Sequence, residues 1–283
     1  MTSTLKRLQN GNIKVKISFP WQEVKNFYQK ALKKLQATTT IKGFRRGKAP
    51  LKVVEEKLGK ETIYEEVLKA LISSAYIQAI KKYNLKPIVS PQFKIISLKE
   101  GDEWQLEFLT CEEPQVTLND YKEKIRKELA VEKIWLPGKK EKKQTSQEEK
   151  LEKIFKILTE VCQVKVPDLL IEEEVNRQLS KLLDQLNTLG LTIDQYLTSQ
   201  GKTKDQLKEE YRQKTEETLK LEFILDAIAN QEKLSATEEE IENLLNALPN
   251  QQEKEKIIKN PLQKEYLSSL IKKRKVIDNL LAI

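Results

Sequence analysis

The chain has 283 residues, a formal charge of +8 and no histidine. The absence of imidazole excludes Ser-His-Asp and Cys-His catalytic centres in their usual forms, together with every zinc site that needs histidine. Apolar residues make up 39% of the chain and charged residues 33%, which excludes wholesale disorder and fits one large domain or about two to three smaller ones.

The N-terminal part of the chain opens with a predicted β-hairpin and a helix. Asn10-Gly11 lies between the alternating runs Leu5–Gln9 and Ile13–Phe19, and Asn-Gly in that setting is the strongest short hairpin signal. Pro20 then ends the strand and suits a first helical turn. Apolar residues at intervals of three and four predict an amphipathic helix over Trp21–Ala37.

The chain then passes through a glycine-containing loop, residues 41–50, into further helices and strands. Helices are predicted on either side of Gly59, and strands on either side of a Gly-Asp turn. These elements are Leu51–Leu58, Ile63–Tyr83, Phe93–Leu98 and Trp104–Leu109. We therefore predict an α+β N-terminal domain over residues 1–115.

Residues 116–150 are predicted to link two domains. Residues 137–150 contain no large apolar residue, which indicates a linker or an exposed loop. Tyr121–Ile134 fits either an extended segment or a weak helix. Residues 151–283 carry apolar stripes at helical spacing and predict an elongated all-α C-terminal domain of about six helices, so the chain as a whole is predominantly helical.

Helix ends in the C-terminal part carry their own sequence signals. Three threonines are followed three positions later by Gln or Glu, the capping-box pattern in which both side chains bond free amides of the first turn. These pairs are Thr192 with Gln195, Thr203 with Gln206, and Thr237 with Glu240. Gly201 and Pro249 are predicted to close helices, and Asn260-Pro261 to open the last one.

Cys111 and Cys162 are the two cysteines of the chain, and their spacing matches no metal or redox motif. We expect two buried thiols in a reducing cytosol and not a disulfide. The sequence shows no secretory signal and no run of about 18–20 apolar residues. We therefore predict a cytoplasmic protein without a membrane segment, a metal or a cofactor.

Positive charge is concentrated near the N-terminus. Residues 1–115 carry 21 basic and 12 acidic side chains, whereas residues 151–283 carry 20 and 24. Within residues 20–60 the counts are 11 and 3. This asymmetry indicates that the first domain meets a polyanion, although a solvated helix face is the simpler explanation for a lysine-rich stretch.

The loop at residues 43–48 carries the most informative motif. Its spacing is one residue short of a phosphate-binding loop, and Ala49 stands where Ser or Thr would bind magnesium, so we predict no nucleotide site. Phe44, Arg45 and Arg46 lie between glycines, where the ring either folds back onto its own helices or contacts a partner. Aromatic and arginine anchors suit docking. Carboxylates lie beside lysines on helix faces, so no acid–base pair is predicted.

This motif resembles the signature of a known family. The run Gly43-Phe44-Arg45-Arg46-Gly47-Lys48-Ala49-Pro50 is similar to the Gly-Phe-Arg-x-Gly-Lys-x-Pro sequence of bacterial trigger factor, the ribosome-associated chaperone. Other segments are similar to further parts of that family: Leu51–Gly59, Val164–Val175, Leu225–Ala229 and Ser235–Ile241. The resemblance covers nearly the whole chain apart from residues 120–150.

The resemblance implies docking at the ribosomal peptide exit, against a ribosomal protein and ribosomal RNA. The contact residues would be Phe44, Arg45 and Lys48. The turn would be shaped by Gly43, Gly47 and Pro50, while Arg46 stands at the variable position. The helical domain would shield nascent chains without ATP, assisting folding and export, and the patch residues suggested for clients are Leu169, Leu170, Leu189 and Leu191. A homodimer off the ribosome is left open.

The family usually carries a peptidyl-prolyl isomerase domain between its two ends. Here thirty mostly charged residues separate Asp120 from Leu151, too few for an independent core. We therefore expect a chaperone and not an enzyme. Three alternatives stay open: an isomerase with a site rebuilt elsewhere, a basic protein that binds free RNA, and a periplasmic chaperone of similar architecture, against which the absent signal argues.

Overall fold

The computed structural model describes residues 1–132, 147–246, 254 and 260–283. The chain forms two compact units. The first contains Met1–Glu113 together with Pro167–Leu170, and the second contains Pro114–Val166 together with Ile171–Ile283. The first unit combines an antiparallel sheet with helices, and the second is built mainly of helices. The predicted fold class, α+β followed by all-α, is confirmed.

The sheet of the first unit has four antiparallel strands in the order β1-β2-β4-β3. The strands are β1 Thr2–Arg7, β2 Asn12–Phe19, β3 Gln92–Ser97 and β4 Trp104–Cys111. The predicted hairpin is present, but β1 begins three residues earlier than expected. Its turn spans residues 8–11, since Leu8 N–H donates to Asn12 O and Gly11 N–H donates to Leu8 O. Among the turn residues 8–11, only Gly11 has a positive φ, at 78°, as a turn with a glycine bulge requires.

Two helices cover one face of this sheet. Helix α1 spans Trp21–Thr38 and helix α2 spans Leu51–Tyr83. The backbone of α2 leaves helical geometry at Gly59, where φ is 77°. This kink lies where the sequence predicts a break between two helices.

The core of the first unit follows the strand register. Ile17 is paired with Leu106 and Phe19 with Trp104 across β2 and β4, and all four side chains are buried. Residues at helical spacing on α2 complete the core: Ile63, Val67, Leu71, Ala75 and Ala79. Alternation in the strands and the three- and four-residue period in the helix therefore meet in one apolar layer.

The second unit contains a short antiparallel pair, β5 Val116–Thr117 with β6 Gln163–Val164, and the remaining helices. The helices are α3 Tyr121–Glu132, α4 Gln147–Val161, α5 Asp168–Thr188, α6 Ile193–Gln200, α7 Lys204–Gln231, α8 Glu238–Asn246 and α9 Pro261–Leu281. The first turn of α5 belongs to the first unit.

Helix α3 resolves the ambiguous segment near residue 121. Tyr121 and Ile125 are buried in one apolar cluster with Ile154 and Leu158. Burial and the nearby charge of Glu232 raise the pKa of Tyr121 to about 12. The described part of residues 116–150 therefore packs within the second unit, and the predicted domain limits at 115 and 150 stay predictions. Trp135 and most of the predicted loop 137–150 lie outside the described residues.

The predicted helix caps and thiols can be checked in the described residues. All three capping boxes have both of their hydrogen bonds. Gly201 ends α6 in the left-handed conformation, and Pro261 opens α9. The predicted stop at Pro249 lies outside the described residues. Cys111 and Cys162 are buried thiols and not a disulfide, and burial raises the pKa of Cys162 to about 11.

Within the first unit, the β1–β2 turn holds the segment Pro167–Leu170. Asn12 is buried, and its Oδ1 accepts a hydrogen bond from Leu169 N–H at 3.0 Å. Asp168 N–H donates to Asn10 O at 3.2 Å, and Asn10 Nδ2 donates to Asp168 Oδ2 at 3.0 Å. The turn thus accepts hydrogen bonds from the amides of Asp168 and Leu169, which lie at the start of α5 and have no partner within the helix.

Gly11 is the point of closest approach in this contact, and we predict that Gly11→Ala destabilises the first unit. A Cβ at Gly11 would lie 3.1 Å from Pro167 Cα, in addition to the strain of the positive φ. We expect a loss of about 2–4 kcal/mol, measured by hydrogen exchange of the β2 amides.

Gly101→Ala provides the matched control. Gly101 also has positive φ, at 92°, but a Cβ there would meet no atom within 4 Å. The stability lost in Gly101→Ala should therefore come from backbone strain alone, about 1–2 kcal/mol. Equal losses in the two variants would show that the approach to Pro167 contributes nothing.

Candidate docking loop and client-facing surfaces

The loop between α1 and α2 is built from two consecutive turns. Phe44 N–H donates to Ile41 O at 3.0 Å, and Lys48 N–H donates to Arg45 O at 2.9 Å. In each turn the third position is a glycine with positive φ, 92° at Gly43 and 80° at Gly47. Glycine is favoured there because L-residues rarely adopt this conformation. The motif therefore encodes a specific backbone path.

Both ends of this double turn are fixed to the first unit. Ile41 and Ala49 are buried. Gln36, in the last turns of α1, donates from Nε2 to Ala49 O at 2.6 Å. The carbonyl of Pro50 accepts from the amides of Val53 and Val54 and so begins α2. The loop thus leaves and re-enters the domain at two buried positions.

The residues between these two positions are presented to solvent. Phe44 is 41% exposed. Arg45, Arg46 and Lys48 are also exposed. In the part of the chain that the structure describes, none of the three cationic side chains forms an ion pair or a hydrogen bond, and Phe44 forms no ring contact. An apolar ring and two guanidinium groups therefore stand together with their binding capacity unused.

Polar contacts between α1 and α2 support the base of the loop. Tyr28 donates to Glu55 Oε1 at 2.7 Å, and burial together with this carboxylate raises the pKa of Tyr28. Lys34 on α1 pairs with Glu66 on α2, and this hydrogen bond lowers the pKa of Glu66. These contacts fix the two helices that position the loop.

Two of the amides in this loop are not free to bind a phosphate. A phosphate cradle needs several backbone N–H groups aimed at one anion, and the amides of Phe44 and Lys48 donate within the turns themselves. Among the described residues, no group of three or more Cys, Asp and Glu is arranged to hold a metal ion. Nor does any helix in the described ranges have the length and apolarity needed to cross a membrane.

The four leucines suggested for client binding have different environments. Leu169 is fully buried beside the β1–β2 turn, and Leu170 is half-buried. Leu189 is 72% exposed, and Leu191 is also exposed. We therefore retain Leu189 and Leu191 as candidates, keep the half-buried Leu170 as a prediction and leave the buried Leu169 out of the proposed surface.

Three other apolar residues of the second unit are exposed and were not predicted as candidates: Leu183, Tyr266 and Leu270. Each lies in a helix whose apolar spacing is the same as that of a core stripe, so the pattern alone could not identify them. Between α4 and α7 there is also an open groove with Phe155 and Leu221 among charged and hydroxyl side chains.

The chain thus has an α+β unit with an exposed aromatic–cationic loop, followed by a mainly helical unit with scattered exposed apolar residues. Two family models match the chain. The model for bacterial trigger factor protein matches residues 1–153, and the model for the bacterial trigger factor protein C-terminus matches residues 117–282. Each covers more than half of the chain. The chain belongs to the bacterial trigger factor family.

Similar proteins agree with this assignment. Trigger factor from Listeria welshimeri is 33% identical over 131 residues, which cover 44% of this chain and 31% of the relative. Trigger factor from Staphylococcus saprophyticus is 30% identical over 122 residues, 43% of this chain and 28% of the relative. The matched part is therefore about a third of the length of these relatives.

A solved structure supports the fold over almost the full chain. It is a trigger factor chaperone studied for promiscuous substrate recognition in folding and assembly. The two structures superpose with a TM-score of 0.68 at 16% identity, and the match covers 99% of each chain. At this identity the similarity establishes the fold.

The bond between Gln36 and Ala49 leads to a prediction about the loop. We expect Gln36→Ala to destabilise the first unit by about 1 kcal/mol, because the buried Ala49 carbonyl loses its side-chain donor. Hydrogen exchange at Phe44 and Lys48 should accelerate in the same variant. Phe44→Ala, which changes an exposed ring, should leave the free energy of unfolding within about 0.5 kcal/mol of the parent. A larger effect for Phe44→Ala would mean that the ring packs onto its own fold.

Proposed function

We propose that this protein is an ATP-independent chaperone that docks at the ribosomal peptide exit through residues 43–50. Its helical unit then shields nascent chains, and assists their folding and export, in the cytoplasm. The observation that carries the proposal is the loop itself. Phe44 and two guanidinium groups are held outward by a double turn, and in the described structure none of them has an internal partner.

The charge of the first unit supports a ribosomal partner. Residues 1–115 carry 21 basic and 12 acidic side chains, which favours attraction to the phosphates of ribosomal RNA over long distances. Specificity then needs contacts at short range, and Phe44 with Arg45 supplies them against a ribosomal protein surface. Buried aromatic and arginine anchors are each worth about 2 kcal/mol or more, whereas exposed ion pairs contribute about 0–1 kcal/mol.

The second unit supports client shielding. Its exposed leucines, Leu189 and Leu191, lie among polar residues and do not form one large apolar pocket. Contacts of this kind are individually weak and accept many sequences, which suits transient binding of unfolded chains. The groove between α4 and α7 offers a further surface in which Phe155 and Leu221 alternate with charged groups.

We also propose that the protein lacks peptidyl-prolyl isomerase activity. The two family matches overlap over residues 117–153, so no stretch of this chain separates the N-terminal match from the C-terminal one. An isomerase site needs a pocket with apolar and aromatic walls, and that overlap contains mostly charged residues.

Ribosome co-sedimentation tests the docking proposal. We expect Phe44→Ala with Arg45→Ala to weaken ribosome binding by roughly tenfold or more, because both short-range anchors are lost. Helical circular dichroism should not change. The matched control is Ile77→Ala with Lys81→Ala, which removes one exposed apolar side chain and one exposed cation from α2. This control should bind as the parent does.

The same variants separate docking from general RNA binding. If the loop variant co-sediments with ribosomes as well as the parent, the docking site is wrong. Tight binding to protein-free RNA that weakens steeply with salt, and does not change with Phe44→Ala, would instead indicate a basic RNA-binding protein.

A protease-coupled assay on an Xaa-Pro peptide tests the isomerase proposal. We expect cis–trans conversion of the peptide to keep its uncatalysed time constant, about tens to hundreds of seconds at 25 °C. Turnover well above that rate, reproduced with independently purified protein, would show that this chain has an isomerase site.

A further inference from the structure

Strand β3 is an edge of the sheet with an unusually apolar surface. Its six residues, Gln92–Ser97, pair with β4 on one side only. Phe93 is 55% exposed and Ile95 is 45% exposed, and Ile96 is exposed as well. An edge of this length with three exposed large apolar residues is a template on which a further strand can pair.

The register shows that part of this surface continues the core. Phe93 lies opposite Phe108, and Ile95 lies opposite Leu106. Phe108 and Leu106 are buried in the core of the unit. Because cross-strand partners point to the same face, Phe93 and Ile95 belong to the core face of the sheet. They are exposed because the described residues place nothing over this end of the face.

The outer backbone edge of β3 is also available. Apart from the ladder to β4, the described structure gives residues 92–97 no backbone hydrogen bond to a turn or loop. Natural edges are usually blocked by proline, lysine or a bulge. Strand β3 carries two of these features, Lys94 and a register shift between Ile95 and Ser97, so the uninterrupted part of the edge is Gln92–Ile95.

Charge decides between a second copy and another polypeptide. Lys94 lies on this strand opposite Glu107, whose carboxylate pairs with Lys14, and Lys86 and Lys99 lie before and after the strand in sequence. Among the described residues none of these three lysines, Lys86, Lys94 and Lys99, forms an ion pair. Pairing two β3 edges would bring these lysines together within a basic unit, which like-charge repulsion disfavours. An extended segment with acidic residues would be attracted instead.

We propose that the β3 edge binds an extended polypeptide segment as a fifth strand. Alternate apolar residues of the segment pack beside Phe93 and Ile95, and its acidic residues face Lys94. Main-chain hydrogen bonds supply affinity that does not depend on sequence, and the side-chain contacts add selectivity. The inference deepens the proposed function, because it gives unfolded clients a site in the first unit.

Peptides of defined backbone test this site on the full chain. The probe is a fluorescent peptide of about eight residues with alternating valine and glutamate, long enough to cover β3. We expect it to bind about tenfold more tightly than a valine–lysine peptide, and to slow hydrogen exchange in β3. Methylation of alternate backbone nitrogens, which removes donors along one edge, should weaken binding by at least about tenfold.

Protein variants locate the site and separate it from the ribosome proposal. Phe93→Ser with Ile95→Ser should weaken peptide binding by about tenfold. Ile77→Ser, at a residue of α2 that is 54% exposed, should not. Both variants should co-sediment with ribosomes as the parent does. Ribosome docking without peptide binding would contradict this inference alone, and peptide binding without ribosome docking would contradict only the docking proposal.

Two further outcomes would overturn the inference. The first is equal binding of the methylated and unmethylated peptides, because strand addition needs those amides. The second is a dimer of the protein, seen by sedimentation, that Phe93→Ser with Ile95→Ser dissociates. In that case a second copy covers the edge and no client strand is needed.

Discussion

The backbone path between Ile41 and Ala49 is the constraint on which the functional interpretation depends. Both residues are buried, so the chain must leave the domain and return within a few residues. Two glycines at positive φ make this possible by closing one turn and then the next. Between the buried ends, the side chains of Phe44, Arg45, Arg46 and Lys48 are exposed. Phe44 remains 41% exposed although burial of its ring would lower the free energy.

The first unit can attract a partner both through its net positive charge at long range and through the loop at short range. Its excess of basic side chains acts at the distance of a Debye length, about 8 Å at physiological salt, and raises the rate of encounter with a polyanion. In the proposed docking, this field would not select one site on a ribosome, because phosphate is present throughout its RNA. Selection needs a contact that forms only at short range, and the loop provides an apolar ring beside planar cations. Removing the ring should therefore change affinity and leave the salt dependence largely in place.

Local signals in the sequence predicted local structure well. Asn10-Gly11, the kink at Gly59 and the three capping boxes depend on neighbours a few positions away, and all are present. Burial that depends on distant contacts was not predicted. Leu169 looks like any apolar helix residue, yet its amide bonds to Asn12, 157 positions earlier. Likewise, the sequence predicts a strand over Phe93–Leu98, but only the strand order shows that this strand is an edge.

The overlap of the two family matches bears on how clients could be held. Because the N-terminal and C-terminal matches overlap over residues 117–153, we place the proposed client surfaces on the two units themselves. In the proposed function, the exposed leucines of the second unit would contact client side chains, so their contribution would depend on the client sequence. The β3 edge would bind main chain, which every unfolded client has. When two weak sites lie on one chain, a client bound at the first site meets the second site at a raised effective concentration. Broad recognition then does not require a large apolar surface, which would itself promote aggregation.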